Sequence, residues 1–337
     1  MWNATITRPK ELAEALARYA REALRRLEHQ PAMSLASLRK ALSEVLGLHF
    51  TDEQGEHFFR SSLVQTLFYG LFSAWVVWNR KSPTNDQFRW REAGDYLSLP
   101  VMRELFERIA IPSQLEMLDI RKPLEWAEAT LRRTTYEMFA ASFSGDAINY
   151  FYEPFLEAYD PNLREQLGVW YTPREIIRYQ VARVDQLLRE ELNIPDGLAD
   201  ERVIVLDPAT GTGGYLLEVL RVINTTLLKN GMGAMRSIEL RNAAIRRVFG
   251  FEILPAPFVV AHMQMATLLA DQDAPLDPQQ RVGIYLTNSL TGWKLEEIKQ
   301  LVLPEFPALK NEAEAARRCT QLSTVLVREL RSPANLS

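Results

Sequence analysis

Asp207, Gly211 and Gly213, followed much later by Glu252, are the residues of this chain whose types and spacing could do chemistry. Asp207 closes the apolar run Val203 to Leu206, and Pro208, Ala209 and Thr210 lead from it into Gly211-Thr212-Gly213-Gly214. Glycines reach backbone angles closed to other residues, so a ligand can come up against their N–H groups. If a helix follows, those N–H groups also sit at its positive end. What the turn lacks narrows the ligand. A phosphate loop needs Lys-Ser/Thr after its last glycine, and Tyr215-Leu216 stand there instead. A dinucleotide fingerprint wants a small residue at position 216, where this chain has Leu216. What remains is acidic-x-x-x-Gly-x-Gly. In doubly wound folds an acidic residue at the end of the second strand accepts the two ribose hydroxyls of an adenosine. Glu252 holds that place, about forty residues after the glycines rather than about twenty.

The elements that must position these residues read as follows. Val203 to Leu206 is expected to be a strand buried on both faces. Leu216, Leu217, Leu220 and Ile223 recur at helical spacing, which gives strand, glycine turn and helix. A second glycine turn, Lys229 to Gly233, and a helix carrying Ile238, Leu240, Ala244 and Ile245 precede the strand Val248 to Glu252. Pro255 starts another helix, whose methionines and aliphatics read as core. Val282 to Leu286 is a third strand candidate. Beyond it the pattern predicts helices over 293–301 and 310–319 and a fourth strand over 322–327. Upstream, Thr172 is expected to cap a helix, with Pro173 at its first position and Glu175 completing a capping box. Ile176, Ile177, Val181, Val184, Leu187 and Leu188 form that helix's stripe.

Residues 1–165 read as mostly helical. Leu12, Leu16, Tyr19, Ala20, Leu24 and Leu27 line one face after Pro9. Further helices are expected over 35–47, 52–78, 101–110 and 123–142, and Asp146 is placed to cap AINYFYEPFLEAY. Between Arg60 and Arg80 no residue is charged, yet Gln65, Thr66, Gly70 and Ser73 interrupt the run. A buried helix suits that pattern better than a membrane span.

The 337 residues suffice for two domains with sizeable cores, and 47% hydrophobic with 24% charged residues is ordinary for a globular chain. A net charge of −4 does not announce a nucleic-acid binder. One cysteine, Cys319, excludes an intramolecular disulfide and a Cys-rich zinc site, and the four histidines lack paired-ligand spacing. A reducing, cytoplasmic setting fits. Glu297-Ile-Lys299 has the E-x-K spacing of some nucleases with Asp277 upstream, but so short a pattern on a helix reads as chance.

Asp-Pro-Ala-Thr-Gly-Thr-Gly at 207–213 resembles motif I of S-adenosylmethionine-dependent methyltransferases, and more narrowly that of N6-adenine DNA methyltransferases of restriction-modification systems. Tyr171-Thr172-Pro173 resembles the family's motif X, which borders the methionine end of the cofactor, although a plain helix cap reads the same way. Phe151 to Pro161, Gly168 to Pro173, motif I, Gly250 to Pro257 and Ile284 to Asn288 together resemble the methylase portion of large single-chain restriction-modification enzymes. The resemblance implies a Rossmann-like methyltransferase sheet, incomplete, over residues 166–337, preceded by an all-helical domain over 1–165. It implies S-adenosylmethionine as cofactor, held by Tyr171, Thr172, Pro173, Asp207, Pro208, Ala209, Thr210, Gly211, Gly213, Glu252, Ile253 and Asn288. Asn288 reads equally as a turn residue or as a partner of the cofactor's adenine.

The family's acceptor of the target amine is Asn/Asp-Pro-Pro-Tyr/Phe, and that motif occurs nowhere in this sequence. The expectation is therefore a chain without catalytic residues of its own, whose catalytic and target-recognition segments lie further on and whose partners are DNA and a nuclease domain or subunit. The alternatives are a methyltransferase acting on RNA or protein, and a non-catalytic scaffold that retains the fold.

Overall fold

The computed structural model describes residues 5–31, 53–81, 87–97, 111–137, 147–160, 172–277 and 280–287, with 35, 36, 39, 103, 106 and 107 between them. In chain order the main elements are helices α1 (Pro9–Glu28), α2 (Glu53–Arg80), α3 (Pro112–Leu118), α4 (Arg121–Arg132), α5 (Ala147–Tyr159) and α6 (Arg174–Glu190). Strand β1 (Val205–Asp207) follows, then α7 (Gly214–Lys229), α8 (Met235–Arg246), β2 (Val248–Glu252), α9 (Pro255–Asp271) and β3 (Gly283–Leu286).

The uncharged run becomes the axis of the helical region. Residues 59 to 76 of α2 are buried on every side, which explains why the helix shows no polar face. Some of its buried polar groups find local partners, Thr66 Oγ1 donating to the Ser62 carbonyl at 2.6 Å and Gln65 to Ser61 Oγ at 3.3 Å, whereas the hydroxyls of Ser62 and Ser73 are buried without one. Among the described residues no helix is long and apolar enough to cross a membrane. Around α2 pack α1 and α9, while α1 also packs along α5 and α4. Aromatic rings fill the seam between α2 and α5. Phe72 stacks on Phe151 at 3.8 Å, and Tyr69 stacks on Tyr152 at 4.7 Å. Tyr69 also donates to the Tyr152 carbonyl, and Tyr159 to that of Ser61.

Two helical expectations change. The helix expected over 123–142 ends at Arg132, because Thr134 leaves it to form a parallel bridge with Ile6. The Ile6 N–H donates to the Arg133 carbonyl at 3.1 Å, and the Thr135 N–H to that of Ile6 at 3.0 Å. Two adjacent β-branched threonines favour that extended path. The capping box at Thr172 also does not form, since Pro173 remains extended at ψ 141° and itself takes the N-cap place. Its carbonyl accepts from the Ile177 N–H at 3.1 Å, so α6 begins one residue later than expected. The stretches 40–50, 98–102, 138–146, 161–171 and 288–337, with the elements expected there, lie outside the described residues.

The three strands form a parallel sheet in the order β1-β2-β3, with Asp207 beside Gly250 and Glu252 beside Leu286. Strand direction and helical crossovers make this an α/β arrangement. The expectation that Val203 to Leu206 is buried on both faces fails at Ile204 and Leu206, which are 48% and 39% exposed. Ile204 and Leu206 lie two residues apart and so share one face of the chain, and that face is open to solvent. The apolar stripe of α6 is likewise half open: Val181 is its buried residue, whereas Ile176, Val184 and Leu187 are exposed.

Candidate functional site

The site is built where β1 ends. Asp207 turns the chain, its Oδ1 accepting from the Ala209 N–H at 3.1 Å. Pro208 and Ala209 are exposed, and the chain then folds back over β2. The Thr210 N–H donates to the Phe251 carbonyl at 2.9 Å, and Thr210 Oγ1 to the Asp207 carbonyl at 3.0 Å. Gly250 makes this approach possible. A Cβ there would stand 2.2 Å from Thr210 Oγ1 and 2.8 Å from Leu216 Cδ1.

Gly211 and Gly213 both take left-handed angles, φ 56° and 91°. Gly213 is the N-cap of α7, and its carbonyl accepts from the Leu217 N–H at 2.9 Å. The two glycines face different surroundings. A Cβ on Gly213 would press on Ala261 Cβ at 3.3 Å, whereas a Cβ on Gly211 would meet nothing within 4 Å. The open space over Gly211 is where a ligand could reach the backbone.

Glu252 closes the site from the neighbouring strand. Its Oε2 accepts from the Gly211 N–H and its Oε1 from the Leu254 N–H, both at 2.8 Å. A carboxylate has about four lone-pair sites, and with the Ile253 N–H also acting on this one it keeps capacity for a further donor. Burial raises the Glu252 pKa to about 7, against the pull of its backbone hydrogen bonds, with Asp207 nearby adding to the rise. Burial also raises the pKa of Asp207. Both acids thus sit in a poorly solvated corner, at the C-terminal ends of adjacent parallel strands, where open α/β sheets bind ligands.

The structure brings Asp207, Thr210, Gly211, Gly213 and Glu252 together, with half-buried Ile253 following Glu252. Thr172 and Pro173 precede α6, whose first turns lie against the start of α7: Ile177 Cδ1 is 3.0 Å from where a Cβ on Gly214 would be. Tyr215 donates from its hydroxyl to Gln180. Tyr171 and Asn288 lie outside the described residues. Sequence reasoning missed Gly250, Ala261 and Gln264. A glycine inside a strand signals close approach of another segment, and a glutamine in an otherwise apolar helix was the sign for Gln264. Among the described residues no group of acids, histidines or cysteines could hold a metal ion.

Residues 143–301 match the family model described as N-6 DNA Methylase, which begins just before α5 and runs past β3. No curated protein matches the chain. Solved structures that share its fold include the following three. One is the ATP-dependent Type ISP restriction-modification enzyme LlaBIII bound to DNA, with a TM-score of 0.58 and 18% identity, covering 91% of this chain and 19% of that one. Another, a DrdV–DNA complex, has a TM-score of 0.57 and 18% identity, with 91% and 27% covered. The third, a nuclease-deletion mutant of the Type ISP enzyme LlaGI with a DNA substrate mimic, has a TM-score of 0.55 and 16% identity, with 91% and 23% covered. This chain therefore spans 19% to 27% of the length of the structures it resembles.

Proposed function

From the premise that residues 143–301 carry an N-6 DNA methylase segment, we propose that this chain is the cofactor-binding part of a site-specific adenine-N6 DNA methyltransferase of a restriction-modification enzyme. The observation that carries the reading is the tie between Glu252 and the Gly211 N–H, which joins the acidic end of β2 to the glycine turn after β1. When bound, S-adenosylmethionine supplies an electrophilic methyl group.

The residues of the chain do the holding. The remaining acceptor capacity of Glu252 would meet the ribose hydroxyls. Asp207, Pro208, Ala209 and Thr210 shape the wall leading to Gly211 and Gly213, whose lack of side chains lets the cofactor approach the backbone. Tyr171, Thr172 and Pro173 would border its methionine end, with Ile253 and Asn288 on the adenine side. In this division residues 1–165 form a helical domain and 166–337 a Rossmann-like methyltransferase unit. The groups that accept the protons of a flipped adenine's amine, Asn/Asp-Pro-Pro-Tyr/Phe in the family, are not in these 337 residues. They come from another part of the enzyme, together with target recognition. DNA is accordingly a partner of the assembled enzyme, as it is in the three DNA complexes above.

Calorimetric titration tests the reading. The chain is expected to bind S-adenosylmethionine, Asp207→Ala to lose its cofactor-dependent thermal shift, and the chain alone to transfer no tritiated methyl group to duplex DNA. Absence of cofactor binding at millimolar concentration would overturn the first part, and tritium in the DNA the last.

A further inference from the structure

The glycine turn is held only in part from within, by the Gly213 N–H donating to the Thr210 carbonyl at 2.9 Å. With Gly211 and Gly213 on either side of it, the Thr212 unit keeps more freedom than other residues would have. Contacts from outside narrow it further. Two come from β2: the Phe251 carbonyl holds the Thr210 N–H, and Glu252 holds that of Gly211. The third comes from the opposite side. Gln264, on α9, donates from Nε2 to the Thr212 carbonyl at 2.9 Å, and both residues are buried. One helical turn earlier, Ala261 lies against Gly213.

We infer that Gln264 is a positioning residue for the cofactor, acting through the Thr212 carbonyl to hold the Gly211 to Gly213 turn in its binding shape. This rests on the reading of the turn as an S-adenosylmethionine site. The Thr212 carbonyl lies between two left-handed glycines in a place closed to water, and a buried carbonyl without a donor is costly. Without the Gln264 amide, rotation of the peptide toward other donors becomes cheaper, opposed by the bond from the Gly213 N–H to the Thr210 carbonyl, which would turn with it. Gln264 is well placed to resist this because α9 is itself held. On its other side it packs against α2, with Arg80 and Asp271 paired at 3.3 Å near the ends of the two helices. The helical region thereby backs the wall that shapes the cofactor loop.

The test uses the full chain and two substitutions, Gln264→Met, which keeps the volume and removes the donor, and Gln264→Asn, which keeps an amide but shortens its reach. Asn224→Ala serves as the structural control, because Asn224 bonds Gln272 at 2.8 Å and thus joins α7 to α9 away from the turn. Both Gln264 variants are expected to weaken S-adenosylmethionine binding by roughly tenfold or more, measured by calorimetry on folded protein, whereas Asn224→Ala loses stability without losing affinity. Hydrogen exchange of the amides from Gly211 to Gly214, without cofactor, is expected to quicken in the Gln264 variants relative to Asn224→Ala. Affinity within about twofold of the parent, or unchanged exchange at the turn, would overturn the inference. If the parent itself binds no cofactor, the functional reading fails, and hydrogen exchange still decides whether Gln264 shapes the turn. Should Gln264→Met fail to fold, Gln264→Asn carries the same two measurements.

Discussion

Glu252 Oε2 accepts a hydrogen bond from the Gly211 N–H at 2.8 Å across 41 residues of sequence. The pair joins the ends of two neighbouring parallel strands, so the carboxylate that would hold a ribose also braces the loop that would receive the rest of the cofactor. The same carbon skeleton carries a second tie, since the Thr287 N–H donates to the Glu252 carbonyl at 2.8 Å. Three segments after three different strands therefore converge on one residue.

That convergence predicts a pH dependence of binding. Burial raises the Glu252 pKa to about 7 from an ordinary 4.5. The folded chain thus holds this proton more tightly than the unfolded one. Its contribution to stability is complete below about 4.5 and is lost as pH rises through about 7, a swing of roughly 3 kcal/mol. Ribose hydroxyls donate best to the ionised acid, so cofactor affinity is expected to move the other way, rising as pH increases toward 7 and levelling above it. Titrations in buffers of different ionisation enthalpy near pH 6.5 should show a proton released on binding. Glu252→Gln, which cannot ionise, is expected to bind more weakly and to flatten the profile.

Gly211 and Gly250 are expected to fail differently when a methyl group is added. At Gly211 the Cβ meets open space, so Gly211→Ala costs only the left-handed strain of about 1–2 kcal/mol, while the methyl intrudes where the cofactor would lie. Binding should suffer more than stability. At Gly250 the Cβ collides with Thr210 Oγ1 and Leu216 Cδ1. Gly250→Ala is expected to lose about 1–3 kcal/mol through overpacking, and to loosen the Thr210 turn with it. Urea midpoints set beside calorimetric affinities separate the two cases.

The local part of this architecture was legible in the sequence, and the long-range part was not. Leu216, Leu217, Leu220 and Ile223 declared α7 by their spacing, and the glycines before them declared the turn, because both signals come from neighbours in sequence. The uncharged run in α2 gave a buried helix for the same reason. By contrast, the end of α4 depends on Thr134 meeting Ile6, a pairing that no window around residue 134 contains. The exposure of Ile204 and Leu206 depends on whether anything covers their shared face of the sheet, which an apolar run does not encode. The helix after Pro255 reads as core from its methionines and aliphatics, and nothing in that pattern singles out Gln264. Its partner, Thr212, becomes visible only once the rotation of α9 against α7 is fixed.

The helical region has its own critical polar residue. Arg60 is 4% exposed and caps the C-terminal end of α1, donating to the Leu27 carbonyl and, at 3.1 Å, to that of Gln30. Its Nε bonds Glu56 at 2.7 Å, and Arg39 holds the other oxygen of that carboxylate at 2.6 Å. A cation at a helix C-terminus offsets both the orphan carbonyls and the dipole. Arg60→Met is expected to destabilise the chain by about 2–3 kcal/mol, read as a lower urea midpoint at unchanged slope. In Arg39→Met, Arg60 should still pair Glu56, and Arg39 is the more exposed of the two, at 31% against 5% for the side chains, so that substitution is expected to cost less.

His262 sets the acid limit of the fold. It is buried on α9, its Nε2 lies 3.0 Å from the Ile284 carbonyl, and its ring meets Phe258 edge-on at 4.7 Å. A carbonyl can only accept, so Nε2 carries the proton of the neutral ring. Burial, with the charge of Arg281 adding to it, lowers the pKa from 6.5 to about 3. The unfolded chain therefore binds this proton more readily than the folded one. Its contribution is fully present above about 6.5 and is lost as pH falls from there toward 3. Over the interval from about 4.5 to 6.5 this loss opposes the gain from Glu252, so the parent chain should show a shallow stability profile there and a steeper fall below 4.5. His262→Phe removes the titration and leaves the Ile284 carbonyl without its donor. It is expected to cost about 1–3 kcal/mol at pH 8 but to lose less on acidification. Urea denaturation of both chains at pH 8, 6 and 4.5 checks this, and curves that stay parallel across the three would rule out His262 as the titrating group.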